Sequence, residues 1–229
     1  MLLKRIIDLV LATMAVVLLS PLFLVAGILV LLSDGRPIFY VSVRVGRNRQ
    51  PFRLIKFRTM QSNLDESQDR ITLGASDTRI TTLGRHLRRW KIDELPQLFN
   101  VILGDMSVVG PRPEDPRYVE SYDDSEMEVF RVRPGLTDIT VTQGHLHDAA
   151  LLDRIPESER EEFYEKILMR RKLRLNIAYI RNWSLAADLR IFIKTALLLL
   201  GIIPNKIPET LYTDGPHPEV TAKDGRGLQ

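Results

Sequence analysis

The sequence predicts an α+β fold that is mostly helical, with an N-terminal membrane helix broken in its middle. Three observations support this prediction. The stretch from Leu9 to Leu32 is 24 residues long and carries no charge. Two short runs of aromatic and β-branched residues follow it and predict one small β-hairpin. Long amphipathic segments then fill the C-terminal half, and these are typical of helices, some of them lying at a membrane interface.

Composition limits the function classes. The chain has 229 residues, 45% of them hydrophobic and 27% charged, which suits one globular domain and excludes a disordered protein. The net charge of +3 is too mild to predict a nucleic-acid partner. Cysteine is absent, which excludes disulfide scaffolds, thiol nucleophiles and Cys-ligated metal centres.

The apolar run is long enough to cross a bilayer, so a single transmembrane anchor is the simplest interpretation. Ser20 and Pro21 argue against it, because they lie at the centre of the run. Proline removes a backbone donor and clashes with the preceding turn, so the helix should break there. Each half is then too short to span the membrane alone.

Basic residues flank the run on both sides. Lys4 and Arg5 precede it, and Asp8 lies one helical turn from Lys4, where the two could pair. Seven basic residues follow it, with no acid between Gly35 and Leu64: Arg36, Arg44, Arg47, Arg49, Arg53, Lys56 and Arg58. Since positive charge marks the cytoplasmic side, the pattern predicts a re-entrant helix and contact with anionic lipid or a polyanionic substrate.

The next elements follow from local patterns. The stretches 37–43 and 52–57 predict strands, and 45–48 predicts the turn between them. The polar stretch 65–77 predicts a loop. Residues 81–90 and 95–103 predict two short helices.

Further along, Gly110-Pro111-Arg112-Pro113 must be a fixed turn. Residues 157–182 predict a helix in one or two pieces. Residues 185–203 predict either an interfacial helix or an ordinary core helix. These elements divide the chain into a membrane helix-break-helix at 1–34, a catalytic domain at 35–203 and a tail at 204–229.

Asp93 and Glu94 form the most informative pair of acids. One interpretation makes Asp93 the N-cap of the following helix, with Glu94 at the positive helix end. The other uses them chemically. A carboxylate kept ionised by the nearby Arg88 and Arg89 can bind Mg²⁺ or attack phosphorus, while a second carboxylate supports the metal or handles a proton.

Basic side chains supply candidate phosphate contacts. An Arg112 held between two prolines suits rigid phosphate recognition, but for this segment alone a proline-rich turn with a solvated Arg is the favoured interpretation. Strand alternation places Lys56 and Arg58 on one face, toward phosphate, solvent or lipid headgroups. His145 and His147 are a weak metal-ligand candidate and are more typical of a loop.

These pieces together resemble the monotopic phosphoglycosyl transferases of bacteria, the polyprenyl-phosphate sugar-1-phosphate transferase family. The resemblance covers residues 4 to 195, and no single piece of it is decisive. The matching segments are Ser20-Pro21, Arg44-Val45-Gly46-Arg47, Lys56-Phe57-Arg58-Thr59-Met60, Asp93 to Val101, Gly104-Asp105-Met106-Ser107, Gly110 to Pro113, Arg133 to Thr137, Asn182-Trp183-Ser184 and Asp188-Leu189.

The resemblance implies an enzyme at the cytoplasmic face of the bacterial inner membrane. It would move a sugar 1-phosphate from a UDP-sugar to polyprenyl (undecaprenyl) phosphate and release UMP, as the first membrane step of glycoconjugate or exopolysaccharide synthesis. Asp93 would be the nucleophile that forms a phosphosugar–aspartyl intermediate, and Glu94 would complete the dyad. Mg²⁺, or Mn²⁺ in its place, would bind at Asp93. The implied phosphate contacts are Lys56, Arg58, Arg88, Pro111 and Arg112.

One stretch departs from the family pattern. Many members have Gly and then an aromatic residue after the segment that ends at Thr137, whereas this chain has Asp138-Ile139-Thr140. The sugar is therefore open, as are the pathway and the oligomeric state. Two other functions also stay open at this point: a membrane-bound scaffold that uses its basic face, and a metal-dependent hydrolase of nucleotide sugars.

Overall fold

The computed structural model describes residues 2–61, 77–143 and 148–204. Within these ranges the protein is mostly helical, with two small two-stranded sheets. The helices are α1 (Leu2–Leu18), α2 (Ser20–Asp34), α3 (Thr82–Arg89), α4 (Gln97–Leu103), α5 (Pro116–Val119), α6 (Asp148–Leu152), α7 (Arg160–Phe163), α8 (Arg170–Arg181) and α9 (Leu185–Leu199). The strands are β1 (Phe39–Val45), β2 (Pro51–Phe57), β3 (Ser107–Val109) and β4 (Gly135–Thr137).

The apolar N-terminal run is broken where the sequence predicts. Helices α1 and α2 meet at Leu19 with a bend of 61°, and Pro21 is the second residue of α2. The Ser20 hydroxyl donates to the Val17 carbonyl at 2.8 Å, which satisfies one of the carbonyls freed at the break. Among the described helices none is long and apolar enough to cross a membrane alone, whereas this bent pair is when both helices are counted together.

Charged residues on the first turns of α1 attach it to the rest of the protein. The Lys4 ammonium donates to Asp188 of α9 at 2.5 Å and to the Val109 carbonyl at 3.0 Å. The predicted pairing with Asp8 exists but is longer, at 4.0 Å. Lys4 therefore joins α1 to α9 more than it stabilises its own helix.

Asp8 is buried and accepts hydrogen bonds from β3. Its carboxylate accepts the Ser107 hydroxyl at 2.8 Å and the Val108 amide at 3.1 Å. Arg5, on the adjacent side of α1, donates to the carbonyls of Val101 and Ile102 at 2.6 and 3.0 Å. Because those carbonyls belong to the last turn of α4, Arg5 completes the C-terminus of that helix.

The predicted hairpin is confirmed. Strands β1 and β2 pair antiparallel with Phe39 opposite Phe57, and residues 46–50 form the turn. Asn100 of α4 binds the backbone of β2. Its side-chain oxygen accepts the Ile55 amide at 3.1 Å, and its side-chain nitrogen donates to the Arg53 carbonyl at 2.7 Å. Strand β2 and α4 therefore keep a fixed relative position.

The parallel pair of β3 and β4 is not predicted by the sequence. Ser107 pairs with Gly135, and Val109 pairs with Thr137. Next to this pair the backbones at Gly110 and Gly135 lie too close together to admit a side chain. A Cβ on Gly135 would lie 2.2 Å from the Gly110 nitrogen. The glycines are therefore required at this contact, which fixes the turn that follows Gly110.

The C-terminal half follows the predicted helices closely. Residues 157–181 are continuously helical, with a π-helical segment at Tyr164–Met169 between α7 and α8. Ser184 caps α9 by accepting the Ala187 amide at 3.1 Å. The predicted loop at 65–77 lies almost wholly outside the described residues, as do His145, His147 and the tail after Pro204.

Replacing Asp8 by Ala should lower the free energy of unfolding by about 1–3 kcal/mol, the usual cost of leaving a buried donor without its acceptor. Denaturant unfolding of the detergent-solubilised protein measures it. The exposed Asp124 supplies the control, because Asp124→Ala should change stability by less than about 0.5 kcal/mol. Equal stability of the two variants would contradict the anchoring role of Asp8.

Candidate active site

Asp93 and Glu94 lie in a 3₁₀ turn (Ile92–Glu94), which Leu95 and Pro96 connect to α4. Both residues are buried. The turn is entered through Lys91, whose φ of 56° is left-handed and redirects the chain after α3. The sequence-based interpretation of Asp93 as an N-cap is wrong: α4 begins at Gln97 and its first turn receives no side-chain cap.

Cations surround Glu94. Arg112 binds its carboxylate with both terminal nitrogens, at 2.6 and 3.2 Å. The Lys56 and Lys91 ammonium groups lie 3.4 and 3.9 Å from Glu94 Oε1. Burial alone would raise the pKa of this carboxyl, but the three cations outweigh burial and hold the pKa of Glu94 well below its usual range. Glu94 is therefore a fixed anion at neutral pH.

Asp93 has the opposite environment. Its Oδ1 is buried and has no hydrogen-bond partner in the described part of the chain. Burial, reinforced by the negative charge of Glu94, raises the pKa of the Asp93 carboxyl, while Lys56, Lys91 and Arg88 act against the rise. A carboxylate that is unpaired, desolvated and close to several cations is available to bind a cation or to attack an electrophile.

The two basic residues at the end of β2 have different surroundings. Lys56 lies beside the acidic pair, and its ammonium lies 3.4 Å from Glu94. Arg58 is buried and donates to the carbonyls of Asp34, Gly35 and Arg36. Arg58 thus ties the end of α2 to the hairpin, and this geometry gives no support to its assignment as a phosphate contact.

Of the two arginines upstream, only Arg88 faces the acidic pair. Its Nε donates to the Thr59 hydroxyl at 2.8 Å, and its charge acts on Asp93. Arg89 instead lies over the ring of Trp90, 6.0 Å from its centroid. Arg88 lowers the pKa of Asp93 as predicted, but the burial of Asp93 and the negative charge of Glu94 raise that pKa by more.

The turn around Arg112 is fixed as predicted. Pro111 and Pro113 are buried, and the Pro111 carbonyl accepts the Gly135 amide at 2.8 Å. The Arg112 side chain is 45% exposed, so it holds Glu94 from the open side of the site. Pro111 itself has no polar side chain, and the contact the structure shows for it is the hydrogen bond that fixes this turn.

Asp138, which departs from the family pattern, is buried in the wall behind Arg112. Its Oδ1 accepts the backbone amides of Thr140 and Val141, which stabilises a local turn, and its charge helps to raise the pKa of Arg112. It lines a narrow crevice together with Arg112, Glu114, Tyr164, Lys172 and Asn176. The side-chain oxygen of Asn176 is buried there without a partner in the described structure.

Two nearby residues received no role from sequence. Lys91 is one of the cations beside Glu94. It reaches this position because of the left-handed turn, which the sequence does not show. Gln97 is 1% exposed, and its side-chain nitrogen has no partner among the described residues. Gln97 lies four residues after Asp93, whose Oδ1 is equally unpaired among the described residues. The sequence gives no signal for either residue, since the position of Lys91 depends on the left-handed turn and that of Gln97 depends on burial.

A divalent cation fits the free oxygen of Asp93. The described residues hold no group of three acidic or histidine side chains that could form a metal cage. Mg²⁺ does not need one, because it binds through one or two carboxylates together with substrate phosphates and water. An unpaired buried carboxylate oxygen is a suitable donor for that arrangement.

Comparison with known proteins gives consistent matches. Residues 1–201 match the family described as bacterial sugar transferase. The chain is 38% identical to the exopolysaccharide production protein ExoY of Rhizobium meliloti over 206 residues, covering 84% of this chain and 83% of that protein. It is 35% identical to a UDP-glucose:undecaprenyl-phosphate glucose-1-phosphate transferase of Caulobacter vibrioides, covering 86% and 69%. It is also 34% identical to the uncharacterized sugar transferase EpsL of Bacillus subtilis, covering 87% and 88%.

Replacing Arg112 by Met should raise the pKa of the Glu94 carboxyl, because burial then acts without its strongest opposing cation. Infrared difference spectra of the protonated carboxyl, recorded through a pH titration, measure this shift, and Glu94→Gln assigns the band. Arg117→Met is the matched control, since Arg117 is exposed and pairs with Asp115. A Glu94 titration that is identical in both variants would contradict the role given to Arg112.

Proposed function

Because this chain belongs to the bacterial sugar transferase family, we propose that it transfers a sugar 1-phosphate from a UDP-sugar to undecaprenyl or a related polyprenyl phosphate, releasing UMP. The names of its relatives support this, since several are UDP-sugar:undecaprenyl-phosphate transferases. The observation that carries the proposal is the contrast within the acidic pair. Asp93 has an unpaired buried oxygen, whereas Glu94 is saturated by cations.

In the first half-reaction the Asp93 carboxylate attacks the phosphorus that carries the sugar. A new bond forms between the carboxylate oxygen and that phosphorus, and the bond to the UMP oxygen breaks. UMP leaves, and the sugar phosphate remains on Asp93 as an acyl phosphate. Desolvation of Asp93 favours this attack, because a carboxylate without a hydrogen-bond partner is a stronger nucleophile.

The cations around the pair counter the negative charge of the diphosphate. Arg112 is half exposed and remains charged, so its outer side can meet a phosphate while its inner side holds Glu94. The Lys56 ammonium lies 3.4 Å from Oε1 of the same carboxylate. Glu94 thereby fixes two cations at a set distance from Asp93, and we assign it this positioning role rather than proton transfer.

Mg²⁺, or Mn²⁺, held by Asp93 together with the donor diphosphate, would neutralise phosphate charge and assist departure of UMP. The protein supplies one carboxylate for it, and the remaining ligands would come from the donor and water. Glu94 is a poor second ligand, because Arg112 and Lys56 already occupy its oxygens.

In the second half-reaction an oxygen of the polyprenyl phosphate attacks the same phosphorus. The bond to Asp93 breaks, the carboxylate is restored, and the product is a polyprenyl diphosphate sugar. A covalent intermediate lets a water-soluble donor and a lipid acceptor react in turn. The two substrates therefore need not occupy the site at the same time.

We propose that the bent pair α1–α2 enters the cytoplasmic membrane and returns to the cytoplasmic side, and that anionic lipid meets the basic segment after it. Large apolar side chains on both helices are exposed, including Leu18, Leu24 and Leu32. A lipid environment would cover them. The bend of 61° and the basic residues on both flanks support return to one face.

UMP release from a panel of UDP-sugars, with Mg²⁺ and with or without polyprenyl phosphate, tests the function. We expect sustained release only with the lipid, and at most one UMP per protein without it. Asp93→Asn should lower turnover by about 10⁴-fold or more, as removal of a nucleophile does. Asp124→Asn is the exposed control, and mass spectrometry should detect the sugar phosphate on Asp93.

Other outcomes would reject parts of this proposal. Sustained release without lipid would indicate a hydrolase. Near-normal turnover of a folded Asp93→Asn variant would exclude Asp93 as the nucleophile. Turnover that is insensitive to a chelator would exclude the metal. Failure of every donor, with lipid binding unchanged in Asp93→Asn, would favour a scaffold.

The acid side of the pH profile should report Asp93. Burial raises its pKa above the ordinary 3.8, so protonation should abolish the first half-reaction at a higher pH than for an exposed aspartate. Lys56→Met should move this acid limb further upward, because Lys56 acts against the rise. The pH dependence of kcat/KM for the donor, recorded for the unsubstituted protein and for Lys56→Met, measures the acid limb of each. An unshifted limb in Lys56→Met would contradict this coupling.

A further inference from the structure

Arg88 is a half-buried cation that forms no ion pair with any described acid. Its Nε donates to the Thr59 hydroxyl at 2.8 Å, and its two terminal nitrogens make no hydrogen bond within residues 2–61, 77–143 and 148–204. Lys56 and Lys91, by contrast, both lie against Glu94. Arg88 therefore differs from these two cations, because its only polar contact in the described structure is with a neutral group.

The position of Arg88 nevertheless brings its charge to the acidic pair. Helix α3 packs against the turn that carries Asp93, and the charge of Arg88 acts to lower the pKa of that carboxyl. Burying a cation without a protein anion is costly, and an anionic ligand would offset the cost. The donor diphosphate of the proposed function is such an anion.

The backbone of Thr59 is where α3 docks onto the end of β2. Thr59 is 5% exposed, and its carbonyl accepts the Thr81 amide at 3.0 Å, just before α3. A Cβ on Gly84 would lie only 2.2 Å from the same carbonyl oxygen, so a side chain there would push α3 away. Gly84 and Arg88 are four residues apart and share one helix face. The close approach at Gly84 therefore also brings the Arg88 guanidinium to the Thr59 hydroxyl.

We propose that Thr59 is a positioning residue, whose hydroxyl holds the Arg88 guanidinium toward the donor diphosphate without neutralising it. The inference rests on the proposed function. A carboxylate in the same place would also compensate the charge of the arginine, as Glu94 does for Arg112. A hydroxyl is neutral and accepts only at Nε, which leaves both terminal nitrogens for a phosphate.

Removing the hydroxyl tests this role. Thr59→Val keeps the branched shape of the side chain, and we expect kcat/KM for the donor to fall by about 10- to 100-fold, as when a catalytic group is misplaced. Thr59→Ser keeps the hydroxyl and should restore most of the rate. Thr82→Val is the matched control, because Thr82 accepts Arg85 at 3.1 Å in an exposed pair on the same helix. Equal rates in Thr59→Val and Thr82→Val would overturn the inference.

A double-mutant cycle separates positioning from a general effect on the fold. If Thr59 acts through Arg88, Thr59→Val should cause no further loss when Arg88→Met is already present. The same fold-loss in both backgrounds would overturn the inference. The thermal unfolding midpoint of Thr59→Val should stay close to that of the wild type, because Leu83 and Leu87 pack α3 into an apolar cluster that does not involve the hydroxyl.

Binding of UDP gives a readout that needs no turnover. In calorimetric titrations of the Asp93→Asn protein, Thr59→Val should weaken UDP binding when Arg88 is present and leave it unchanged beside Arg88→Met. UDP binding that Thr59→Val weakens equally in both backgrounds would overturn the inference. If wild-type protein forms no UMP from any donor, but Thr59→Val still weakens UDP binding only through Arg88, the proposed function fails and the positioning role of Thr59 stands.

Discussion

The buried contacts of the first turns of α1 fix the geometry on which the site depends. Arg5 closes the C-terminus of α4, and the turn before α4 carries the acidic pair. Asp8 holds β3, which leads through Gly110 to the turn of Arg112. Glu94 and Arg112 come from these two segments, so one helix sets the position of both partners. Separating these charged side chains from their partners would be costly, so few other arrangements of α1 are accessible.

The acidic pair shows how adjacent carboxylates acquire different properties. Both are buried and each repels the other, yet Arg112 and Lys56 contact only Glu94. The pKa of Glu94 falls and that of Asp93 rises, because the contacts compensate burial at only one of them. Full compensation at both residues would leave Asp93 unreactive. In the proposed mechanism, the lack of a partner at Asp93 is therefore the feature that leaves it available for attack.

Sequence predicted the features that depend on local pattern. Ser20-Pro21 breaks the apolar run, alternation produces the hairpin, and periodicity places the C-terminal helices. The parallel pair of β3 and β4 was missed because three-residue strands have no readable periodicity, and their pairing depends on glycine contacts distant in sequence. Alternation placed Lys56 and Arg58 on one face, but it could not show that backbone carbonyls of residues 34–36 surround Arg58. Burial of Asp93 and Gln97 likewise depends on tertiary packing.

The described residues form both a crevice with polar groups and a wholly apolar groove, and this contrast bears on why a covalent intermediate would be useful. The crevice behind Arg112 includes charged and amide side chains, whereas the groove beside Phe57 is wholly apolar. A single cavity suited to both a nucleotide sugar and a polyprenyl chain would have to bury polar groups against hydrocarbon, which is costly. Binding the two substrates in turn avoids that cost. A covalent intermediate, the role proposed for Asp93, would let the protein take the phosphosugar from the first substrate and present it to the second.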